Sequence, residues 1–105
     1  MRSNETQELI DDIKKIAKMY FLAMNTNSNY EEKDRDEECF KNDDFIQKVR
    51  NAFDKLDALE QDLINNEFFY QEYPKWWKTH YSRSTYYRVR KSSMRHFKYA
   101  FENES

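Results

Sequence analysis

The sequence predicts an all-α fold, a small helical bundle of about five helices. Three observations predict it. Apolar residues recur at three- and four-residue spacing in several segments, the period of an amphipathic helix. Glycine is absent and proline occurs once, at Pro74, so primed hairpin turns and bulges lack the residues that build them. Eighteen residues are Phe, Trp or Tyr, each able to bury a large area in the small core that 105 residues can form.

The first helix is expected from about Asn4 to Met24. Asn4 and Gln7 have capping-box spacing. Leu9, Ile13, Ile16 and Tyr20 form one stripe, flanked by Ile10, Ala17, Phe21 and Met24. The polar run Asn25–Asn29 is expected to break it. The charge cluster Glu31–Glu38 has no apolar face and reads as a solvated loop or frayed helix. A second helix is expected over about Asp43–Leu56, with Phe45, Val49, Ala52 and Leu56 in register and Ile46 and Phe53 beside them. Asp57 and Glu60 form a second capping box and start a third helix near Ala58. Leu59, Leu63 and Ile64 are its expected buried face, continued by Phe68 and Phe69. Pro74 suits the first turn of a short helix over Lys75–His80, because it has no N–H to lose there. Ser82 is a good cap for a last helix running to about Phe101. Tyr86, Val89, Ser93, Met94, Phe97 and Phe101 are its expected inward positions.

The expected organisation is residues 1–42 as an N-terminal helix and acidic flexible segment and residues 43–105 as a helical unit, within one domain. No internal repeat and no Pro/Gly/Ser linker is visible. Without glycine, a phosphate-cradling loop of the Rossmann or P-loop type cannot be built. Cys39 is the sole cysteine, which excludes an intrachain disulfide and fits a reducing compartment. Met1–Glu8 is polar rather than basic then apolar, so no signal peptide is expected there, and no apolar run approaches the roughly 20 residues of a membrane span. A cytoplasmic protein with no membrane partner is expected.

Charge is distributed unevenly. The net charge of −2 combines 18 basic with 20 acidic residues. Residues 1–72 hold 10 basic and 18 acidic residues, whereas 73–101 holds eight basic residues and no acid. An acidic body therefore carries a basic, aromatic-rich end, which argues for a polyanionic partner.

The last three helices form a short helix, a turn and a longer basic helix. That is the layout of a C-terminal helix-turn-helix, whose second helix enters the major groove of duplex DNA. Arg83, Ser84, Tyr87 and Arg88 lie at the N-terminal end of that helix, opposite Tyr86, Val89 and Met94, where side chains reach base edges. Arg90, Lys91, Arg95 and Lys98 lie further along, placed to neutralise phosphates. Lys75 and Lys78, in the short helix before it, complete the candidate DNA-binding set. Trp76 and Trp77 cannot both face inward: one is expected on the last helix, the other partly exposed.

Residues from about 49 to 101 resemble region four of bacterial sigma factors and the related ArpU/RinA-like phage late-transcription regulators. The first half of the pattern reads VRNAFDKLDALEQDLINNEFF, and the second reads SRSTYYRVRKSSMRHF. On that pattern Ser82 takes the cap, Arg83, Ser84, Tyr87 and Arg88 the base-facing positions, and Tyr86, Val89, Met94 and Phe97 the buried ones. The sequence departs from the pattern at Pro74–His80, which carries two tryptophans, and at Tyr81, where glycine is common. Nothing resembles sigma region two, so a complete sigma factor is not expected. The resemblance implies transcription regulation, with RNA polymerase as a further partner.

Other chemistries find little footing. His80 and His96 are sixteen residues apart with no Cys or carboxylate at ligand spacing, so they read as polar surface residues rather than metal ligands. Cys39, beside Phe40 and among acids, reads as a small hydrophobe rather than a nucleophile. No catalytic constellation and no cofactor site is found. The expectation is a DNA-binding transcriptional regulator, not an enzyme. The alternative is a protein-interaction adaptor whose basic helix docks on an acidic partner.

Overall fold

The computed structural model of the chain describes residues 5–28, 37–70, 76–79 and 81–103. Four α-helices stand among them: α1 (Glu5–Ser28), α2 (Glu37–Asp54), α3 (Ala58–Ile64) and α4 (Arg83–Glu102). A π-helical turn, Asn65–Phe69, prolongs α3, and one 3-10 turn, Trp76–Thr79, precedes α4. There is no strand among the described residues. The all-α bundle is thus as the sequence predicts, with four α-helices described rather than about five. The expected Lys75–His80 helix is a single 3-10 turn over Trp76–Thr79; Lys75 and His80 themselves lie outside the described residues.

α1 runs one turn further than the polar Asn25–Asn29 run suggests, through Ser28; Asn29 lies outside the described residues. Tertiary bonds explain the extension. The Asn27 side-chain amide donates to the Cys39 carbonyl at 3.1 Å and to Asp43 Oδ1 at 2.8 Å. Its oxygen accepts from Asn42 at 3.1 Å. A residue that would otherwise compete with the helix backbone is satisfied by α2 instead. α2 begins at Glu37, earlier than Asp43, because Cys39 is fully buried and anchors its first turn. Asp34 and the rest of 31–36 lie outside the described residues.

The joint between α2 and α3 is built as its sequence dictates. Asp57 Oδ1 accepts from the Glu60 amide at 2.8 Å, and Glu60 Oε1 accepts from the Asp57 amide at 3.2 Å, so both halves of the capping box form. Gln61 Nε2 donates to the Phe53 carbonyl at 3.0 Å, a second bond to an acceptor at the end of α2 that also takes the Leu56 amide. The docking face of α3 is rotated from expectation. Leu59 is 46% exposed, while Glu60, Leu63 and Ile64 are buried. The buried positions follow i, i+3, i+4 spacing from Glu60, and the carboxylate it brings inside is employed twice, at the cap and against His96.

The core lies where α1, α2 and α3 meet α4. Ile13, Leu63, Ile64, Met94 and Phe97 are fully buried there. Phe69 of the π turn meets Phe97 edge-on at 6.1 Å and Tyr20 at 5.7 Å, favourable T-shaped contacts. Phe45 of α2 meets Phe101 of α4 at 5.8 Å. The inward face of α4 is Tyr86, Ser93, Met94, Phe97 and Ala100. Val89 and Phe101, expected inside, are half-buried, and Ala100 replaces them as a close-packing residue.

Candidate functional site

α4 starts at a cap that its sequence encodes. Ser82 is extended (φ −69°, ψ 159°) and its Oγ accepts from the Thr85 amide at 3.3 Å. The first turn of α4 contains no acid. Arg83 therefore adds its charge to the positive end of the helix dipole, where cations are unfavourable for the isolated helix and anions favourable. The cost to the helix is tolerable because Tyr86 pins this end to the body.

Tyr86 is the centre of that attachment. Trp77 stacks on it with ring centroids 4.4 Å apart and planes 10° from parallel. Trp76 meets it edge-on at 6.4 Å. Both tryptophans are half-buried against α4, rather than one inside and one outside. Below the rings stands Glu67, from the π turn. Its Oε1 accepts from Trp76 Nε1 at 3.1 Å and from the Tyr86 hydroxyl, and its Oε2 lies 3.7 Å from Arg90 Nε. Burial, and then the hydrogen bond to Glu67, push the Tyr86 hydroxyl well above the ordinary tyrosine pKa. One carboxylate thus ties the π turn, the 3-10 turn and two turns of α4 together.

The outward side of α4 presents Ser84, Arg88, Ser92, Arg95 and Tyr99, all exposed, with Lys91 at the margin. Their spacing of three or four residues makes a single stripe. Tyr87, 48% exposed, sits beside it with the Arg83 guanidinium 6.0 Å from its ring. Arg83, Ser84, Tyr87 and Arg88 thus share the solvent-facing N-terminal end of α4. Lys78 is exposed on the 3-10 turn; Lys75 lies outside the described residues.

The cations further along are occupied. Arg90 is turned inward: its side chain is 19% exposed and paired with Glu67, so it holds α4 in place instead of facing solvent. Arg95 donates from Nε and Nη2 to the two carboxylate oxygens of Glu5, each at 2.8 Å. Lys91 Nζ lies 3.9 Å from the same carboxylate. Lys98 Nζ is 2.6 Å from Asp12 Oδ2. The hydrogen bond from Arg95 lowers the Glu5 pKa, and the same bond raises that of Arg95; the bond to Asp12 raises that of Lys98. His96 Nδ1 contacts Glu60 Oε2. Among the described residues, Lys78, Arg83 and Arg88 form no ion pair.

The sequence reading missed Glu5, Asp12, Glu60 and Glu67 as partners of the basic helix. Glu67 left a faint signal, since it falls one position before buried Phe68 and three after buried Ile64. Glu5 left none, because it is 90 residues from Arg95. A separate cleft of about 270 Å³ opens between α1, α2 and the π turn, lined by Tyr20, Arg50, Phe53 and Phe69 among others; Arg50 Nε donates to the Tyr20 hydroxyl at 3.4 Å across it. Among the described residues, no helix is long and apolar enough to cross a membrane. No protein-family model, curated protein or solved structure matches the chain.

Proposed function

We propose that this protein is a DNA-binding transcriptional regulator that holds duplex DNA on the N-terminal half of α4. In this reading α3 with its π turn, the 3-10 turn and α4 serve as a variant helix-turn-helix, the short first element being compressed to one turn. The observation that carries the reading is the state of the cations. Arg83, Arg88 and Lys78 are exposed and without a carboxylate partner among the described residues. Ser84 and Tyr87 stand between them, with the unacidified positive end of the α4 dipole beneath. Arginine can bond guanine O6 and N7 bidentately, serine and tyrosine can bond bases or phosphates, and lysine neutralises phosphate. Glu67, Trp76, Trp77 and Tyr86 supply what such an element needs, a rigid mount close to the contact. RNA polymerase is the further partner that the sigma-like resemblance implies.

The test is a salt titration of binding to random-sequence duplex, followed by the same measurement with Arg88→Ala on a selected site. Three free cations give a log–log slope of about −3. Arg88→Ala should cost about 1–3 kcal/mol and relax preference at one base pair. Duplex affinity that is absent at about 50 mM salt would refute the reading.

A second reading rests on a different observation. Lys91, Arg95 and Lys98 already sit on carboxylates of this chain, so the same helix has the chemistry to dock on an acidic protein. That reading is preferred if duplex binding is weak and salt-insensitive while an acidic partner binds through Arg83 and Arg88.

A further inference from the structure

We infer that α1 carries an autoinhibitory latch that masks the C-terminal half of the α4 basic stripe from a nucleic-acid partner. The inference rests on the DNA-binding reading and concerns the regulation of that same surface.

The latch is periodic. Glu5 and Asp12 are seven residues apart on α1, and Lys91 and Lys98 are seven apart on α4. Seven residues are about two helical turns. Glu5 pairs with Lys91 and Arg95, and Asp12 pairs with Lys98, so the register advances in the same direction on both helices. The two helices therefore run alongside each other with carboxylates of one on cations of the other. Beneath them Leu9, Ile13, Met94 and Phe97 are buried. α1 cannot leave α4 without exposing that core. Its carboxylates, in contrast, sit at the surface: the Glu5 side chain is half-exposed and belongs to the first turn of its helix. They can swing away while the helices stay packed.

This arrangement decides where a polyanion gains most. On α4, Lys91 and Arg95 continue the stripe of Arg88 at the next turns, adding about 10 Å to the contact line. A phosphate reaching them must displace Glu5. Surface ion pairs are weak, so displacement is feasible, but each cation released from a carboxylate contributes less than one that starts free. The wild-type contact is thereby confined to Lys78, Arg83 and Arg88, and its salt dependence is shallower than eight basic residues in 73–101 suggest.

The experiment compares the full-length wild type with Glu5→Gln and with Asp11→Asn on a random-sequence duplex, by fluorescence anisotropy from about 50 to 200 mM salt. Asp11 is the control for net charge: its carboxylate accepts from Gln7 Nε2 at 2.9 Å within α1, so the variant changes the charge of α1 without touching α4. Glu5→Gln should steepen the log–log slope by about 0.9 for each freed cation, up to about 2 in all. It should also tighten binding at least threefold over Asp11→Asn at the low-salt end (about 50 mM). Helicity by circular dichroism should match the wild type. Equal slopes and affinities for the two variants overturn the latch and leave the DNA-binding reading standing. No duplex binding by any of the three overturns both.

Discussion

Replacing Glu67 tests the mount of α4 most severely, because one carboxylate serves three partners. Its side chain is 15% exposed and that of Arg90 is 19% exposed. Glu67→Ala leaves the Tyr86 hydroxyl and the Trp76 indole N–H without their shared acceptor and the Arg90 guanidinium without its counter-charge. Removing one partner of a buried pair costs about 3–5 kcal/mol, and residual exposure reduces that here to about 2–4 kcal/mol. Tyr86→Phe deletes only one donor, leaves the ring stacked on Trp77 and should cost about 1–2 kcal/mol. In a domain of this size 1 kcal/mol moves the thermal midpoint by about 4–8 °C. Glu67→Ala should therefore lower it by about 8–32 °C and Tyr86→Phe by about half as much. Thermal and urea unfolding by circular dichroism measure both, and the double variant Glu67→Ala with Arg90→Met supplies the cycle. If the hub is cooperative, the double variant is less destabilised than the sum, because the uncompensated guanidinium is gone. A loss below about 0.5 kcal/mol for Glu67→Ala would show that the carboxylate is solvated and that the tryptophan stack alone holds α4.

Three further outcomes follow from named contacts. Asp57→Ala removes the α3 cap and frees the Glu60 amide, so denaturant unfolding should report a loss of about 1 kcal/mol. Asn27→Ala removes the bonds that carry α1 beyond Asn25; about 1–2 kcal/mol should be lost, and hydrogen exchange at 25–28 should accelerate selectively. Tyr86 has a raised folded-state pKa, so its contribution is fully present below the unfolded tyrosine value of about 10 and is lost as pH climbs above it. Stability should fall above about pH 10 by more in the wild type than in Tyr86→Phe, read from urea midpoints across the alkaline range.

The helices were legible because the signals that define them are local. Capping at Asp57 and Ser82 depends on residues three positions away, and both caps form as the sequence demands. The apolar stripes identified Ile13, Val49, Leu63 and Phe97 because burial repeats with the helical period. The misreadings arise where a distant residue decides. Asn25–Ser28 has the composition of a breaker, yet α2 supplies bonds for Asn27 that no local window contains. Leu59 looks like core and Glu60 like solvent, but a carboxylate with two partners is worth burying and an extra leucine at the edge is not. By sequence alone the two tryptophans compete for one inward position. A 3-10 turn allows both to lean on Tyr86, one by its face and one by its edge.

The same distinction governs the basic stretch. Read along the chain, residues 73–101 are a run of uncompensated positive charge, and the acidic body is a separate region. Folding brings the two together, and the cations divide by position. Those in the middle and last turns of α4 lie over α1, α3 and the π turn, where Glu5, Asp12, Glu60 and Glu67 receive Lys91, Arg95, Lys98, His96 and Arg90. Those of the first two turns that face solvent, Arg83 and Arg88, meet no acid among the described residues. A surplus that looks uniform in sequence becomes a gradient in space, neutral toward the C-terminus of α4 and positive toward its N-terminus. The helix dipole points the same way. An anionic partner approaching this molecule is therefore drawn to one end of one helix, the end that Trp76, Trp77 and Tyr86 hold still.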